Sequence, residues 1–442
     1  LPTLTSATST YSWSLTASAD AVTEPTQITD GTATNIQVAQ GRGIAVDNTP
    51  TSPYFGNVYV SASNNNYTGG RQGAGIYAFN AALETINDEA WKGGIAWDES
   101  SVSSPNAVGV DGEGNVFIAD WCDSHGGVWY FNPGEPETFK NVFADGETAS
   151  SGLVTIDGAK VHGSVCALCV TGAGTGRILY TSDEDINANN GEIFQYNIGT
   201  LATPWAPAPT AALGNADGRL YNANQLIASD GRGGLWCSQY RWNESDAYPC
   251  VLHVNAAGVW DFASGDKSIF VGSTPAGAMA VNVEGDLIAV CGGDNGTFFN
   301  VAKISYDAAG TPSLELAYGN ISFGSYGTRD MAAAFDAAGN IYIQFNNNDS
   351  QGGIGVWALP KEKNEFTTPA AGTIEVGGAG IQGTVVANAM QLNGGILTAD
   401  NVIRVYSASG VLVAEGTAID TATLAGGIYI ATDGNRTIKI AK

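Results

Sequence analysis

Between Pro105 and Pro133 the chain carries three short apolar runs separated by turn residues, the first of them alternating. AVGVD ends on Asp111, GEGN makes a tight turn, NVFIAD follows, WCDSHGG is a loop, and VWYFNP closes the unit. β-Branched and aromatic residues suit a pleated surface, and Gly, Asn and Asp tolerate the backbone of tight turns, so the pattern predicts three antiparallel strands. The phrase then recurs. Gly41 opens GRGIAVDNTPTSPYFGNVYVSASNNN, Asn224 opens NQLIASDGRGGLWCSQYRW, Gly277 opens GAMAVNVEGDLIAVCGGDNG, and Arg329 opens RDMAAAFDAAGNIYIQFNNND. A looser copy, GSVCALCVTGAGTGRILYTSDED, starts at Gly163.

These copies are spaced roughly 50–65 residues apart, and a strand-built repeat of that period predicts the blades of a propeller. The fold class expected is therefore all-β: a six-bladed β-propeller over 41–370. KNVFADG, VWDFASG and LELAYGN each stand just before a repeat and read as outermost strands of the preceding blades. Residues 1–40 form an N-terminal segment expected to contribute the ring-closing strand, with TNIQVAQ as its best stretch and NEFTTP near Phe366 as a competitor. Closure would remove exposed sheet edges.

The first strand of each repeat carries a second pattern. Asp47, Asp111, Asp230, Asn282 and Asp336 end these strands, and Ala45, Gly109, Ala228, Ala280 and Ala334 stand two positions earlier. Strands that taper toward an axis with both faces covered admit only small side chains at the narrow end. The terminal Asp or Asn is explained by turn chemistry, because its side chain accepts from its own backbone two residues on; these acids are read as structural. Beyond Pro360 the chain turns to Gly, Ala and Thr. NVIRVYSASGVLVAEG and TLAGGIYIATDGNRTIKIAK then predict two hairpins, with Ser409-Gly410 and Asp433-Gly434 at the turns. Residues 371–442 are expected to form a small, Ig-like C-terminal β-sandwich.

Composition narrows the partners. The chain has 442 residues and a net charge of -25, a balance that repels phosphate backbones and argues against nucleic acid. Cations and neutral polar ligands such as sugars remain open. No apolar run is long enough to span a membrane as a helix. Leu1 opens a segment with no basic or apolar signal region, which reads as a mature chain whose export signal has been removed. Of the 6 cysteines, Cys166 and Cys169 lie in CALC inside a strand, where such positions face opposite sides and do not ligate one metal together. Cys237 and Cys250 flank one hairpin loop, so they are either cross-strand disulfide partners or buried thiols.

Two family resemblances rest on these residues. The repeats resemble NHL-type and gluconolactonase-type propellers, which share the phrase P-x-x-V-x-V-D-x-x-G-N-V-Y-V-A-D. VIRVYSASGVLVAEG and LAGGIYIATDGNRTIKIAK, ending at Lys442, resemble the C-terminal sorting domain of proteins exported by the type IX secretion system of Bacteroidetes. The second resemblance implies recognition by that secretion machinery and a location outside the cell or on the outer-membrane surface. The gluconolactonase resemblance implies an axial divalent metal, for which Asn106, Asn224 and Asp330 occupy matching mouth positions; Arg42 stands where an acid would be expected.

Antiparallel connectivity places the entries to first strands and the loops after second strands on one face, with the tight turns on the other. The first face gathers Arg42, Asn106, His162, Asn224, Arg329 and Asp330, with Trp121, Asp123, His125, Asp183, Asp185, Arg241 and Trp242 around them. Asn106, Trp121, Asp123, His125, Asp183, Asp185, Arg241, Trp242 and Asp330 are the expected ligand-binding set. His125, His162, Arg42 and Arg329 are the candidates for catalysis, His125 needing Asp120 or Asp123 as its partner. Asp183 to Glu192, DEDINANNGE, offers hard oxygen ligands that suit Ca²⁺ or another divalent ion, without EF-hand spacing. Each residue also has a plain structural reading, and His253 in VLHV is read as structural. Three functions fit: a secreted or surface-attached propeller that binds a polar ligand such as a glycan, a metal-assisted hydrolase or lyase at the axis, and a protein-interaction platform.

Overall fold

A computed structural model of the chain describes residues 27–28, 43–62, 74–97 (apart from 82 and 84), 104–121, 127–143, 155–156, 159–160, 165–183, 193–202, 210–213, 226–238, 251–264, 276–292, 298–322, 329–347 (apart from 338), 351–358, 391–393, 396–407, 412–425, 428–432 and 437–441. The described residues fall into two compact units, one ending with the strand at Ala358 and one starting at Gln391.

The first unit is a succession of antiparallel sheets. After β1 (Gln27–Ile28), the first sheet holds β2 (Ile44–Val46), β3 (Val58–Ala62) and β4 (Gly75–Phe79). The second holds β5 (Val108–Val110), β6 (Val116–Asp120), β7 (Gly127–Phe131) and β8 (Lys140–Asn141), and a small hairpin of β9 (Thr155–Ile156) and β10 (Ala159–Lys160) follows. The third comprises β11 (Val165–Thr171), β12 (Ile178–Asp183), β13 (Ile193–Tyr196) and β14 (Ala211–Leu213). The fourth comprises β15 (Leu226–Ser229), β16 (Leu235–Ser238), β17 (Val251–Val254) and β18 (Trp260–Ser264). The fifth is β19 (Ala276–Val281), β20 (Leu287–Gly292), β21 (Phe298–Tyr306) and β22 (Pro312–Ser322). The sixth is β23 (Arg329–Phe335), β24 (Asn340–Asn347) and β25 (Gln351–Ala358), with β1 on its outer edge.

First strands of successive sheets are neighbours: β2 meets β5, then β11, β15, β19 and β23, and β23 returns to β2. This cyclic stacking is the propeller arrangement. It explains why the strands read as nearly continuous apolar runs. In β6, Val116 and Ile118 pack toward the first sheet with Tyr59 and Ile76, whereas Phe117 and Ala119 pack toward the third with Leu168 and Leu179. Both faces are covered, so both registers must be apolar. A fully buried side chain of this size contributes about 1.5–3 kcal/mol. The taper requires Gly109, where a Cβ would stand 2.7 Å from Leu168 Cδ1.

The outer strands anticipated at KNVFADG, VWDFASG and LELAYGN appear as β8, β18 and β22. On the sixth sheet the outer position is taken by Gln27–Ile28, paired antiparallel with Val356 and Gly355. TNIQVAQ and NEFTTP lie outside the described residues. On the first sheet backbone bridges from Thr85 and Trp91 to Phe79 and Ile76 finish the outer edge, together with one side chain. Asn87 accepts from the Ala78 N–H at 2.6 Å and donates to the Ile76 carbonyl at 3.0 Å, standing in for a partner strand.

The second unit contains β26 (Gln391–Asn393), β27 (Ile396–Ser407), β28 (Leu412–Asp420), β29 (Ile428–Thr432) and β30 (Thr437–Ala441). Both hairpins read from the sequence are present, as β27 with β28 and β29 with β30. These strands hydrogen-bond as one antiparallel sheet, through β27, which pairs with β26, β28 and β29. Its core is Leu397, Ile403, Val405, Ile419, Leu424, Tyr429, Ala431 and Ile440.

Candidate functional site

Antiparallel connectivity divides each sheet into an entry end, where first strands begin, and a turn end, where they meet second strands. The candidate ligand-binding residues belong to the entry end by connectivity. Asn106 lies there, buried, and its side-chain amide donates to the Cys166 carbonyl of the third sheet at 3.2 Å. Its backbone N–H donates to Ala119. Beside it the Ser104 hydroxyl donates to Asp120 Oδ1 at 2.6 Å, both residues fully buried. Trp121 is 8% exposed and packs against Cys166, so its ring is covered rather than displayed as a stacking platform. The structure thus brings Asn106, Asp120 and Trp121 together at the seam between the second and third sheets.

Asp183 is placed by its backbone at the entry end of β12, opposite Val165. Arg329 and Asp330 open β23, with Arg329 opposite Asn346. Arg42, Asp123, His125, His162, Asp185, Asn224, Arg241 and Trp242 lie outside the described residues. Among the described residues, no group of three or more His, Cys, Asp or Glu side chains comes together as a metal site.

The entry end has a second property that the sequence did not reveal. Thr181 Oγ1, Ser182 Oγ, Ser238 Oγ and Gln344 Oε1 are buried without a hydrogen-bond partner. Ser182 faces Ala167 in register, Ser238 faces Leu226 and Gln344 faces Ala332, so each sits on a second strand near the start of its first strand. Gln344 spends its amide nitrogen on the Ser61 carbonyl of the first sheet at 3.3 Å. A buried polar group left unpaired costs about 1–3 kcal/mol.

At the turn end the terminal acids behave as turn chemistry requires. Asp111 Oδ1 accepts from the N–H groups of Glu113 and Asn115 at 2.8 and 2.9 Å. Asp336 accepts from the Asn340 N–H and side-chain amide at 2.9 and 2.8 Å. Asn282 Oδ1 accepts from Asp286 and Leu287 at 3.0 and 2.8 Å. Asp47 Oδ1 accepts from the Thr49 N–H at 2.9 Å. Burial pushes the Asp47 carboxyl above the usual carboxylate range, despite the hydrogen bonds from Ser52 and Thr49.

Two charged clusters at this end escaped the sequence reading. Arg177, 1% exposed, opens β12 from the third sheet and donates from Nε to Asp111 Oδ2 at 2.7 Å and from Nη2 to Glu113 Oε2 at 2.6 Å. His253 is the other: Nδ1 lies 2.6 Å from Asp261 Oδ1, and Nε2 lies 3.0 Å from Asp230 Oδ2. Its structural assignment from the alternation of VLHV agrees with its place between these carboxylates.

Among the described residues, Cys166, Cys169 and Cys237 are free thiols. Cys166 Sγ donates to the Ser182 carbonyl at 3.4 Å, while Cys169 packs with the cluster that faces the fourth sheet, so the two point to opposite sides of β11. Burial pushes the Cys169 thiol up to about 11 and the Cys237 thiol well above its ordinary value. Cys237 is turned toward Ala167 and Tyr180 of the third sheet, and Cys250 lies outside the described residues.

No family model matches the chain, and no curated protein matches it. Solved structures that resemble it do so at low identity. The WD40 repeats of RRP9 share 9% identity, covering 78% of this chain and 99% of that chain, with a TM-score of 0.43. A gluconolactonase from Xanthomonas campestris shares 9%, covering 80% and 97%, with a TM-score of 0.41. A structural genomics protein of unknown function from Bacteroides thetaiotaomicron shares 12%, covering 78% and 75%, with a TM-score of 0.42. At these values such likenesses carry no argument about activity.

Proposed function

We propose that the chain is an exported protein whose 41–370 region is a closed six-bladed propeller that binds a small polar ligand, with a glycan as the favoured class, at the entry end. The 371–442 region serves in this reading as an Ig-like sorting domain for type IX secretion, with the outer surface of the cell or the medium as destination. The observation that carries the ligand reading is the set of buried, unpartnered polar atoms on second strands near the entry end: Ser182, Ser238 and Gln344. A polar ligand with its bridging waters would satisfy groups that the protein leaves unpaired, which is a ready source of binding free energy. The loops that carry Asp123, His125, Asp185, Arg241 and Trp242 belong to the same end by connectivity and supply recognition.

Glycan-array screening followed by calorimetry tests this. Because Trp121 is buried, Trp242→Ala is the cleaner probe: it should weaken a glycan hit at least tenfold while leaving the melting temperature unchanged. No hit on the array, or a hit that Trp242→Ala and Arg241→Ala both leave intact, overturns the assignment.

A further inference from the structure

His253 is buried in the fourth sheet, 1% exposed, with a carboxylate on each ring nitrogen. An ionised carboxylate only accepts hydrogen bonds. Two N···O contacts of 2.6 and 3.0 Å therefore require a proton on both ring nitrogens, or an equivalent proton held on Asp261. Asp230 has its other oxygen fully engaged, accepting from the N–H groups of Arg232 and Gly234 at 2.6 and 2.8 Å. The space is built for the pair. A Cβ at Gly234 would lie 2.5 Å from Asp230 Oδ2 and 3.1 Å from His253 Nε2.

The triad ties together three elements of the fourth sheet. Asp230 follows β15, His253 is on β17 and Asp261 on β18. The imidazole lies tilted against Trp236, ring centres 4.7 Å apart, and meets Tyr306 of the fifth sheet edge-on at 6.2 Å. Arg232 lies 4.0 Å over that same tyrosine ring. The titratable and charged groups around His253 are thus Asp230 and Asp261 from its own sheet, Arg232 from the turn, and Tyr306 from the fifth sheet; Tyr180 of the third sheet senses Asp230 from the other side. Ring contacts and charge hold this seam.

We propose that Asp230, His253 and Asp261 form a pH-operated latch on the seam between the fourth and fifth sheets. The protonated ring draws β18 and the turn after β15 onto β17 and presents a flat cationic edge to Tyr306. When the proton leaves, one ring nitrogen faces a carboxylate lone pair to lone pair, and the contacts on either side part. Burial alone favours the neutral ring, but the hydrogen bonds to Asp230 and Asp261, together with their charges, outweigh it and raise the imidazole above its ordinary value of 6.5. The seam is therefore closed while the carboxylates are ionised and the ring protonated, through neutral pH, and loosens toward alkaline pH.

Because the chain has only 3 histidines, long-range proton–nitrogen NMR on histidine-labelled full-length protein resolves the group directly. One imidazole should remain doubly protonated above pH 6.5, and it is identified as the signal lost in His253→Gln. Should that variant not fold, Asp261→Asn identifies it instead by displacing its titration to lower pH. Hydrogen exchange, corrected for the intrinsic rate, should accelerate in β17, β18 and β21 as that imidazole titrates, and much less in β6 and β7. A His253 ring that titrates at or below 6.5, a titration indifferent to Asp261→Asn, or protection of β18 and β21 that stays constant through it, each overturns the latch.

Discussion

At the turn end of the second sheet, Asp111 meets the guanidinium of Arg177, which arrives from the third sheet; at the turn end of the fourth, Asp230 meets the imidazole of His253, which belongs to the fourth sheet itself. Both aspartates cap their own turns with Oδ1 and offer Oδ2 to a buried cation. The difference lies in the cation. A guanidinium stays charged at any pH a protein survives, whereas an imidazole changes charge near neutrality. One seam carries a permanent tie, the other a conditional one. The same turn chemistry thus supports two mechanical behaviours according to which residue fills one position beside it.

Removing the permanent tie should have the largest effect. Arg177→Ala leaves Asp111 buried without its cation, and breaking such a pair costs about 3–5 kcal/mol. Chemical denaturation should show that loss, and equally at pH 6 and pH 9. Arg177→Lys should recover only part of it, since a single ammonium does not reproduce the fork that reaches Asp111, Glu113 and the Gly199 carbonyl together.

The conditional tie is broken by pH. The contribution of His253 is fully present below 6.5 and is lost as pH rises through its raised folded value. Asp230 runs the other way. Burial would raise its carboxyl, but the hydrogen bonds from His253, Arg232 and Gly234 and the charge on His253 together lower it below 3.8. Its contribution is therefore present above 3.8 and is lost as pH falls through the depressed value. Melting temperatures from pH 3 to 9 should trace a plateau between these limits, with the alkaline decline absent in His253→Gln and retained in Arg177→Ala. A decline of equal size in both variants would remove the distinction between the seams.

The smallest effect is expected at the rim. Glu113 is half exposed in its pairing with Arg177, and solvent screens such contacts to less than about 1 kcal/mol. Glu113→Gln should shift the denaturation midpoint barely, and added salt should shrink even that.

These two clusters also mark where sequence reading stops. The apolar runs VFIAD and VWYF, bounded by Gly and Asp, made the strands legible, because composition and turn chemistry are local. The capping roles of Asp111 and Asp336 were legible for the same reason, their partners lying within four residues. Arg177 and Asp111 are 66 positions apart, and nothing near either predicts the other. The pairing exists only because β12 runs alongside the second sheet, a fact of stacking rather than of sequence. Asn106 and Trp121 were placed correctly at the entry end by connectivity, but their burial was not readable, since a Trp beside a loop looks alike whether covered or displayed. His253 was readable as interior from VLHV, yet its second carboxylate, Asp261, stands on the next strand.

The edge position of β1 has a further consequence for how the molecule is made. β1 precedes every other described strand of its unit, yet its partner β25 is the last. During vectorial synthesis β1 must wait, unpaired, until all the intervening sheets have emerged, and until then its own backbone groups stand open to any passing strand. Assembly of this unit is accordingly completed in a single late event, and a chain interrupted anywhere before Gln351 would lack the docking strand that ends the wait.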